Sequence, residues 1–320
     1  MNRFATVLLA LALATCSAQP EARVEAPSAP PKAKPLTMVA FTEGPTVYKD
    51  QTVFFSEMRS KRILRYWPET REVTVFRQES SGSNGLIFDD QWRLIACETD
   101  AGRVTRTDLE TGKIEILAER FEGKRLNSPN DVTFDSKGRL YFSDRPLANP
   151  EPDQTGVHGV YRIDPDGSLH RILTEPDIDK PNGLAISPDD KTFYMIEANG
   201  SENRARMIRA YDLKPDGTVT NMRVFHDFYP GRSGDGMTID SEGNLWVAAG
   251  LNRLRGSHES LDTECGVHVF SPDGERIAFH PIYEDTITNA AFGGEDLKTL
   301  YVTAGKTLFE IPTDVPGTRR

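Results

Sequence analysis

Short hydrophobic runs separated by turn residues continue along the chain from about residue 36 to its end. The runs are rich in Val, Ile, Phe and Tyr, and pairs such as Asp-Gly separate them, which is typical of β-strands joined by tight turns. No segment has the sustained apolar spacing that a long amphipathic helix needs. The pattern therefore predicts an all-β fold.

The predicted strands are grouped into six units, and each unit opens with a short polar residue beside Gly, Pro or Ala. The openings are Glu43, Asn84, Asn130, Asn182, Asp235 and Asn289, so the successive spacings are 41, 46, 52, 53 and 54 residues. A strand-only repeat of this length is typical of propeller blades. Pro-Asp-Gly turns at residues 165–167, 215–217 and 272–274 join the third and fourth strands of their units, which predicts blades of four antiparallel strands.

The last unit contains only three strand-like runs, at residues 289–292, 300–303 and 307–311. We expect residues 36–41 to supply its fourth strand, because a closed ring leaves no unpaired strand edge. The predicted architecture is an all-β, six-bladed β-propeller over residues 36–313, in which an N-terminal strand closes the last blade.

Residues 1–16 have the pattern of a bacterial secretory signal, with one positive charge before an apolar run too short to span a bilayer. The residues around Cys16 resemble a lipoprotein cleavage box, so lipid attachment at Cys16 and plain cleavage after Ala18 both stay open. Residues 17–35 contain five prolines and predict an extended tether. We therefore expect an exported protein, either periplasmic or membrane-anchored as a lipoprotein.

The composition of the 320-residue chain limits the classes of molecule that the protein could bind. Its formal net charge of −10 argues against binding to nucleic acid, which requires a basic face. Cys97 and Cys265 lie in different units, and we expect them to be buried free thiols. The oligomeric state stays open.

The six openings are also the candidate chemistry of the chain. Equivalent positions in a propeller surround the central channel, so these six side chains should point at one axial spot. Glu43 and Asp235 are carboxylates and the other four are amides, which together form an all-oxygen set suited to a hard cation. A purely structural turn would keep one residue type. The sequence thus predicts one divalent metal ion, and calcium, magnesium, manganese and zinc all remain candidates.

Several motifs together resemble one known family, the senescence-marker-protein, gluconolactonase and luciferin-regenerating-enzyme-like family, in its bacterial gluconolactonase branch. They are Glu43-Gly44-Pro45, Asn127-Ser128-Pro129-Asn130-Asp131-Val132, Tyr141-Phe142-Ser143-Asp144, Pro181-Asn182-Gly183-Leu184, Gly234-Asp235-Gly236-Met237 and Thr288-Asn289-Ala290-Ala291. The resemblance implies a divalent-metal-dependent hydrolase of sugar lactones, usually with calcium. By the same resemblance Glu43, Asn130, Asn182 and Asp235 match the metal ligands.

Asp235 also matches the general base that is proposed for this family. Its glycine neighbours leave space for a substrate, whereas Pro45 makes the turn at Glu43 rigid, so we favour Asp235 over Glu43 as the base. In the animal branch of the family, a substrate-binding arginine lies two positions before the asparagine that corresponds to Asn130. Here Ser128 stands at that position and Arg125 is close by, so both are candidate substrate contacts.

Other candidate substrate contacts are Asn84, Asn289 and His158. Each also has a structural interpretation, as a turn residue or a surface histidine. Residues 145–157 and 251–264 interrupt the blade pattern and are candidate walls of the channel mouth, or solvated loops. The second loop carries Arg253, Arg255 and His258, one of which we expect to contact substrate.

Two other functions are compatible with the same pattern. One is a related metal-dependent esterase or phosphotriesterase, since substrate choice depends on loops that differ within a fold. The other is an exported, non-catalytic propeller that binds a partner and holds its cation for stability. A serine or cysteine hydrolase is disfavoured, because the chain contains no Gly-x-Ser-x-Gly motif.

Overall fold

Six four-stranded antiparallel sheets follow one another along the chain and form the blades of a β-propeller, as the sequence predicts. The computed structural model describes residues 33–146, 150–256 and 258–319, with the backbone alone at residues 37 and 38. The predicted signal, Cys16 and the tether up to residue 32 lie outside the described residues. Among the described residues, no helix is long and apolar enough to cross a membrane.

The strands run outwards from the channel in chain order in blades 1 to 5. Blade 1 contains β2 (Thr42–Val47), β3 (Val53–Glu57), β4 (Arg62–Trp67) and β5 (Glu72–Arg77). Blade 2 contains β6 (Ser83–Phe88), β7 (Leu94–Glu98), β8 (Arg103–Thr107) and β9 (Ile114–Ala118). Blade 3 contains β12 (Pro129–Phe134), β13 (Leu140–Asp144), β14 (Gly159–Ile163) and β15 (Leu169–Thr174). A short hairpin, β10 (Arg120–Phe121) and β11 (Lys124–Arg125), precedes blade 3 and was not predicted.

The remaining blades repeat this arrangement. Blade 4 contains β16 (Pro181–Ile186), β17 (Thr192–Ala198), β18 (Arg206–Leu213) and β19 (Val219–Asp227). Blade 5 contains β20 (Gly234–Ile239), β21 (Leu245–Ala249), β22 (Gly266–Phe270) and β23 (Arg276–Pro281). Blade 6 contains β24 (Ile287–Gly293), β25 (Thr299–Ala304), β26 (Thr307–Pro312) and, as its outer strand, β1 (Lys34–Met38).

The N-terminal strand closes the ring as predicted, with different bounds. Strand β1 pairs antiparallel with β26, from Lys34 opposite Glu310 to Met38 opposite Thr307. It begins two residues earlier than expected and ends three residues earlier. The physical reason is that the chain must cross from the outer edge of blade 6 to the inner strand of blade 1, which begins at Thr42.

One hydrophobic cluster lies at each of the six interfaces between blades. Phe142 of blade 3 packs with Cys97 of blade 2, for example, and Trp246 of blade 5 packs with Phe292 of blade 6. The second strand of a blade lies between two neighbouring blades, which explains why β3, β7, β13 and β21 are buried along their whole length. Cys97 and Cys265 are buried free thiols, as predicted.

The C-terminal segment closes one end of the axial channel. Gly317 bridges Asp240, Thr318 donates its N–H to the carbonyl of Ile239, and both Thr318 and Arg319 line this end of the channel. The opposite end therefore offers the open approach to the axis from the loops at residues 145–157 and 251–264.

Candidate active site

The six sequence openings lie on the six innermost strands, which contact one another in sequence around the ring. Each of these strands changes register with its neighbour at the opening residue, as in the shifts between Glu43 and Thr46 and between Gly234 and Met237. Such bulges redirect a side chain out of the regular strand pattern. The repeat found in the sequence is therefore a repeated bulge at the channel.

Glycine follows the polar residue in several bulges because neighbouring inner strands approach closely there. A Cβ atom at Gly236 would lie 2.1 Å from Cγ of Asn289 on the next blade. A Cβ atom at Gly85 would lie 2.8 Å from the carbonyl oxygen of Asn130 on the next blade. Real Cβ atoms essentially never come this close, so a larger residue would displace the Asn289 side chain at Gly236 and the Asn130 backbone at Gly85.

A cavity of ≈ 500 Å³ lies at the open end of the channel. Four of the six opening residues line it, namely Glu43, Asn84, Asn182 and Asp235. Asn130 occupies the equivalent bulge on β12 and is buried. Asn289 lines the channel towards the closed end instead, where its Nδ2 donates to Asp131 at 3.0 Å.

Asp131 forms a polar layer between the cavity and the closed end of the channel. Its carboxylate accepts hydrogen bonds from the N–H of Leu184 at 2.8 Å and from Asn289, so it ties blade 3 to blades 4 and 6. Burial raises the pKa of Asp131 to about 6, although the two hydrogen bonds oppose that shift. Sequence reasoning missed Asp131, although the sequence contains a signal for it, because Asp131 stands where four other bulges have glycine.

Asp235 is held from two sides. Its Oδ1 accepts a hydrogen bond from Nδ2 of Asn182 at 2.6 Å, and its Oδ2 accepts one from Arg232 at 3.2 Å. Arg232 also contacts Glu259, with Nη1 and Oε1 3.4 Å apart. The chain Asn182, Asp235, Arg232 and Glu259 fixes one face of the carboxylate and joins blades 4 and 5 to the loop at residues 251–264.

The carboxylate of Glu43 is buried and accepts almost no hydrogen bonds from the described residues. Burial raises its pKa well above the usual range, and the charges of Asp235 and Asp131 raise it further. Its one hydrogen bond from a described residue comes from the adjacent N–H of Gly44, at 3.3 Å. Ionised Glu43 is thus costly in this place unless a positive charge accompanies it.

Buried oxygen-bearing side chains that lack hydrogen bonds fit a divalent cation at this end of the channel. As whole residues, Glu43, Asn84 and Asn130 are only 6%, 3% and 3% exposed. Within the described residues, the bond from Gly44 is their one side-chain hydrogen bond. Buried polar groups are normally satisfied. Carboxylate and amide oxygen atoms of this kind are ligands that calcium takes.

A grouping of three or more His, Cys, Asp or Glu side chains able to hold a metal is absent from the described part of the chain. The set predicted from the sequence has a different composition, with two carboxylates and two amides. Any cation here would therefore depend on amide oxygens as well as on Glu43 and Asp235.

Cationic side chains that the sequence did not single out also line the cavity. Arg145 follows β13, Lys180 precedes β16, Arg206 opens β18, and Arg232 precedes β20. Burial and the nearby charges of Arg145 and Arg232 lower the pKa of Lys180. The cavity is therefore lined by charges of both signs.

The loop at residues 145–157 is anchored by Asn127. Its Nδ2 donates to Asp144, to Oγ1 of Thr155 at 2.7 Å and to the carbonyl of Val157, while its Oδ1 accepts from the N–H of Gly156. Burial raises the pKa of Asp144 to about 6, and the donors Asn127 and Ser128 oppose the shift. This loop contributes Arg145 and Pro146 to the cavity wall.

Three predicted substrate contacts lie away from the cavity. Arg125 pairs with Asp153, with Nε and Oδ2 2.8 Å apart. Ser128 is buried and donates its N–H to Asp144. The ring of His158 is mostly buried, and burial and then Lys180 lower its pKa to about 4.

The second loop contributes a different residue from those expected. Arg253 is highly exposed and lies 3.7 Å from Asp285, and His258 lies 3.9 Å from Glu202. Neither these two nor Arg255 line the cavity, whereas Glu259 of the same loop does.

Comparisons with known proteins agree with this architecture. A family model described as "SMP-30/Gluconolactonase/LRE-like region" matches residues 41–306. The chain is 27% identical over 307 residues to a gluconolactonase of Zymomonas mobilis subsp. mobilis, an alignment that covers 87% of this chain and 80% of the relative. It is 30% identical over 268 residues to pentonolactonase XacC of Haloferax volcanii, with coverage of 82% and 80%. The solved structure of a gluconolactonase from Xanthomonas campestris matches with a TM-score of 0.74 at 29% identity, covering 90% of this chain and 95% of that one.

Proposed function

The chain belongs to the SMP-30/Gluconolactonase/LRE-like family, and from this premise we propose that it is a hydrolase that opens sugar lactones. The relatives named gluconolactonase and pentonolactonase support the substrate class. The observation that carries the proposal is the cavity in which Asp235, held by Asn182 and Arg232, lies with the buried and nearly unpartnered carboxylate of Glu43.

In this proposal Glu43, Asn130, Asn182 and Asp235 hold one divalent cation, with calcium as the first candidate. Oxygen ligands of this kind suit calcium best, although magnesium and manganese accept them too. When bound, such a cation polarises a lactone carbonyl and stabilises the negative charge that develops on its oxygen. Asn182 would have to turn its amide oxygen inwards, because its Nδ2 now faces Asp235.

Asp235 accepts the proton of the attacking water in this mechanism. The water oxygen forms a bond to the carbonyl carbon, the C=O π pair moves onto the carbonyl oxygen, and a water proton passes to Asp235. The C=O bond then re-forms, the ring C–O bond breaks, and Asp235 returns the proton to the ring oxygen. A positioned base contributes roughly 10²–10⁴-fold to such a step. The hydrogen bond from Arg232 orients the carboxylate and limits its basicity.

Hydrolysis of glucono-1,5-lactone before and after chelation tests this proposal. The protein is treated with EDTA and assayed again with calcium, magnesium, manganese or zinc restored, beside Asp235→Asn and the control Glu115→Gln on the exposed edge of blade 2. We expect activity to disappear with EDTA, to return with one metal, and to fall about 10²-fold or more in Asp235→Asn. Hydrolysis that survives both treatments would contradict the proposal. Activity on other esters alone would favour the esterase alternative.

We also propose that the protein acts outside the cytoplasm, on the basis of the secretory pattern in residues 1–16. Mass spectrometry of the protein from membrane and periplasmic fractions tests this. A mature chain that begins with a lipid-modified Cys16 would identify a lipoprotein, a chain that begins after Ala18 would identify plain cleavage, and an uncleaved chain would contradict export.

A further inference from the structure

Two of the cationic side chains in the cavity form no ion pair with a described carboxylate, although Arg145 is near enough to Glu43 to lower the pKa of that carboxyl. Arg232 is bonded to Asp235 and Glu259, and all five N–H groups of Arg206 are taken up by backbone carbonyls. Arg145 and Lys180 differ from both, because no described carboxylate forms an ion pair with either of them. Charged groups that are half-buried without a partner carry a solvation cost, which a ligand of opposite charge would remove.

The position of Lys180 is fixed by the backbone around it. Its N–H donates to Oε2 of Glu197 at 2.5 Å, and the N–H of Asp179 donates to Oε1 of the same carboxylate at 2.9 Å. Glu197 is buried and lies beside Arg209. The lysine therefore leaves a rigid point at the start of blade 4 and enters the cavity as one of its lining residues.

The nearest acidic neighbour of Lys180 in the chain is already committed to other donors. Asp179 accepts hydrogen bonds from Arg204, from Nδ2 of Asn199 at 2.9 Å and from the N–H of Ala205 at 3.0 Å. These bonds draw the carboxylate towards the loop that precedes β18. Lys180 is thus left available on the side of the cavity.

The net charge of the cavity lining also favours an anionic ligand. Its described lining contains four cationic side chains and three carboxylates, namely Arg145, Lys180, Arg206, Arg232, Glu43, Asp235 and Glu259. This leaves one positive charge in excess, in a chain whose formal net charge is −10. A divalent cation at the proposed site would increase the excess. A locally positive cleft in an acidic protein attracts anions.

We propose that Arg145 and Lys180 bind an anionic group, a carboxylate or a phosphate, that the substrate carries in addition to its lactone ring. The inference rests on the proposed lactone hydrolysis and names its substrate class as acidic sugar lactones. Arg145 offers a planar fork that matches either group, and Lys180 offers a compact second charge. The two residues come from neighbouring blades 3 and 4, on the rim of the cavity that also contains Asp235.

Matched substrates test the specificity. The value of kcat/KM is measured for neutral glucono-1,5-lactone, for its 6-phosphate and for a glucarolactone that carries a free carboxylate. The proteins are the wild type, Arg145→Gln, Lys180→Gln, the double variant, and the control Arg106→Gln, whose arginine pairs with Glu115 on the outer edge of blade 2. We expect at least one acidic lactone to exceed the neutral one by about 10-fold or more. This ratio should fall by about 10–100-fold in the double variant and stay unchanged in Arg106→Gln.

Direct binding separates this inference from the proposed function. Calorimetry with the unreactive acids gluconate, 6-phosphogluconate and glucarate measures the contribution of the second anionic group without any turnover. Tighter binding of 6-phosphogluconate identifies a phosphate site, and tighter binding of glucarate identifies a carboxylate site. If either preference exists and is lost in the double variant while no lactone is hydrolysed, the anion site at Arg145 and Lys180 stands and the proposed lactone hydrolysis fails. If lactones are hydrolysed but the ratios stay near one in every protein, the inference is overturned and the function stands.

Discussion

Replacing Arg206 by lysine is expected to weaken the cavity wall between blades 4 and 5. Arg206 is only 1% exposed, and its guanidinium donates to the carbonyls of Asn199, Gly200, Ser201, Pro230 and Gly231. These carbonyls belong to two separate loops, both of which precede strands that supply cavity residues. One side chain thus holds together the loops that position Asn199, Gly200 and Arg232.

The magnitude follows from the number of bonds. Each intramolecular hydrogen bond contributes about 0.5–1.5 kcal/mol net, and bonds to charged groups contribute somewhat more. Lysine has three donors on a flexible stem and cannot span both loops, so at least two of the five carbonyls would lose their partner. Some of these carbonyls would regain water. We therefore expect Arg206→Lys to lower the free energy of unfolding by about 2–4 kcal/mol.

Urea unfolding and lactone hydrolysis, measured on the same samples, test this expectation. The control is Arg223→Lys, on the outer strand of the same blade, whose exposed ion pair with Asp212 should change stability by less than about 0.5 kcal/mol. We also expect KM to rise in Arg206→Lys, because Arg232 would lose its fixed position. If Arg206→Lys were as stable as Arg223→Lys and bound substrate normally, the assigned role of Arg206 would be refuted.

Three further predictions concern other parts of the fold. The pKa of His158 is lowered to about 4 in the folded protein, so its stabilising contribution is present above the unfolded pKa of about 6.5 and is lost as pH falls through 4. Between pH 7 and pH 4, the free energy of unfolding of the wild type, measured in urea, should therefore fall by roughly 2–3 kcal/mol more than that of His158→Asn. A difference between the two proteins that does not change with pH would contradict this. Asn127→Ala, which removes the four side-chain hydrogen bonds of Asn127, should cost about 1–3 kcal/mol in urea unfolding and speed proteolysis after residue 150, whereas unaltered proteolysis would argue against an anchoring role. Deletion of residues 314–320 should lower the free energy of unfolding by about 1–4 kcal/mol, because three backbone hydrogen bonds to the closed end of the channel are lost. A truncated protein with the same thermal midpoint as the full-length protein would refute that.

Much of the architecture could be predicted because the repeat is local. Each blade opens with a bulge, and a bulge needs a short polar residue followed by a residue that tolerates close approach, as at Asn84 and Gly85. That requirement leaves a pattern in the chain that recurs with the blade length. The closing strand was predicted for a similar reason, since a ring of paired blades needs a partner for β26.

The cavity wall could be predicted only in part, because its residues come from loops whose paths depend on distant packing. Arg206 binds carbonyls on both sides of blade 4, and Arg145 and Lys180 reach one cavity from different blades. No local sequence pattern indicates that these residues come together in the folded protein. Conversely, Arg125 and Ser128 were candidates by position, but Arg125 pairs with Asp153 and Ser128 is buried outside the cavity lining.

Calcium titration of metal-free protein measures the proposed cation site directly, without any substrate. Calorimetry is carried out on the wild type, on Glu43→Gln and on the control Glu115→Gln, and is repeated with magnesium, manganese and zinc. We expect one divalent cation to bind per chain in the wild type and in Glu115→Gln, and binding to be at least about 10-fold weaker in Glu43→Gln. Unchanged binding in Glu43→Gln, or no binding of any of the four metals to folded wild-type protein, would contradict this.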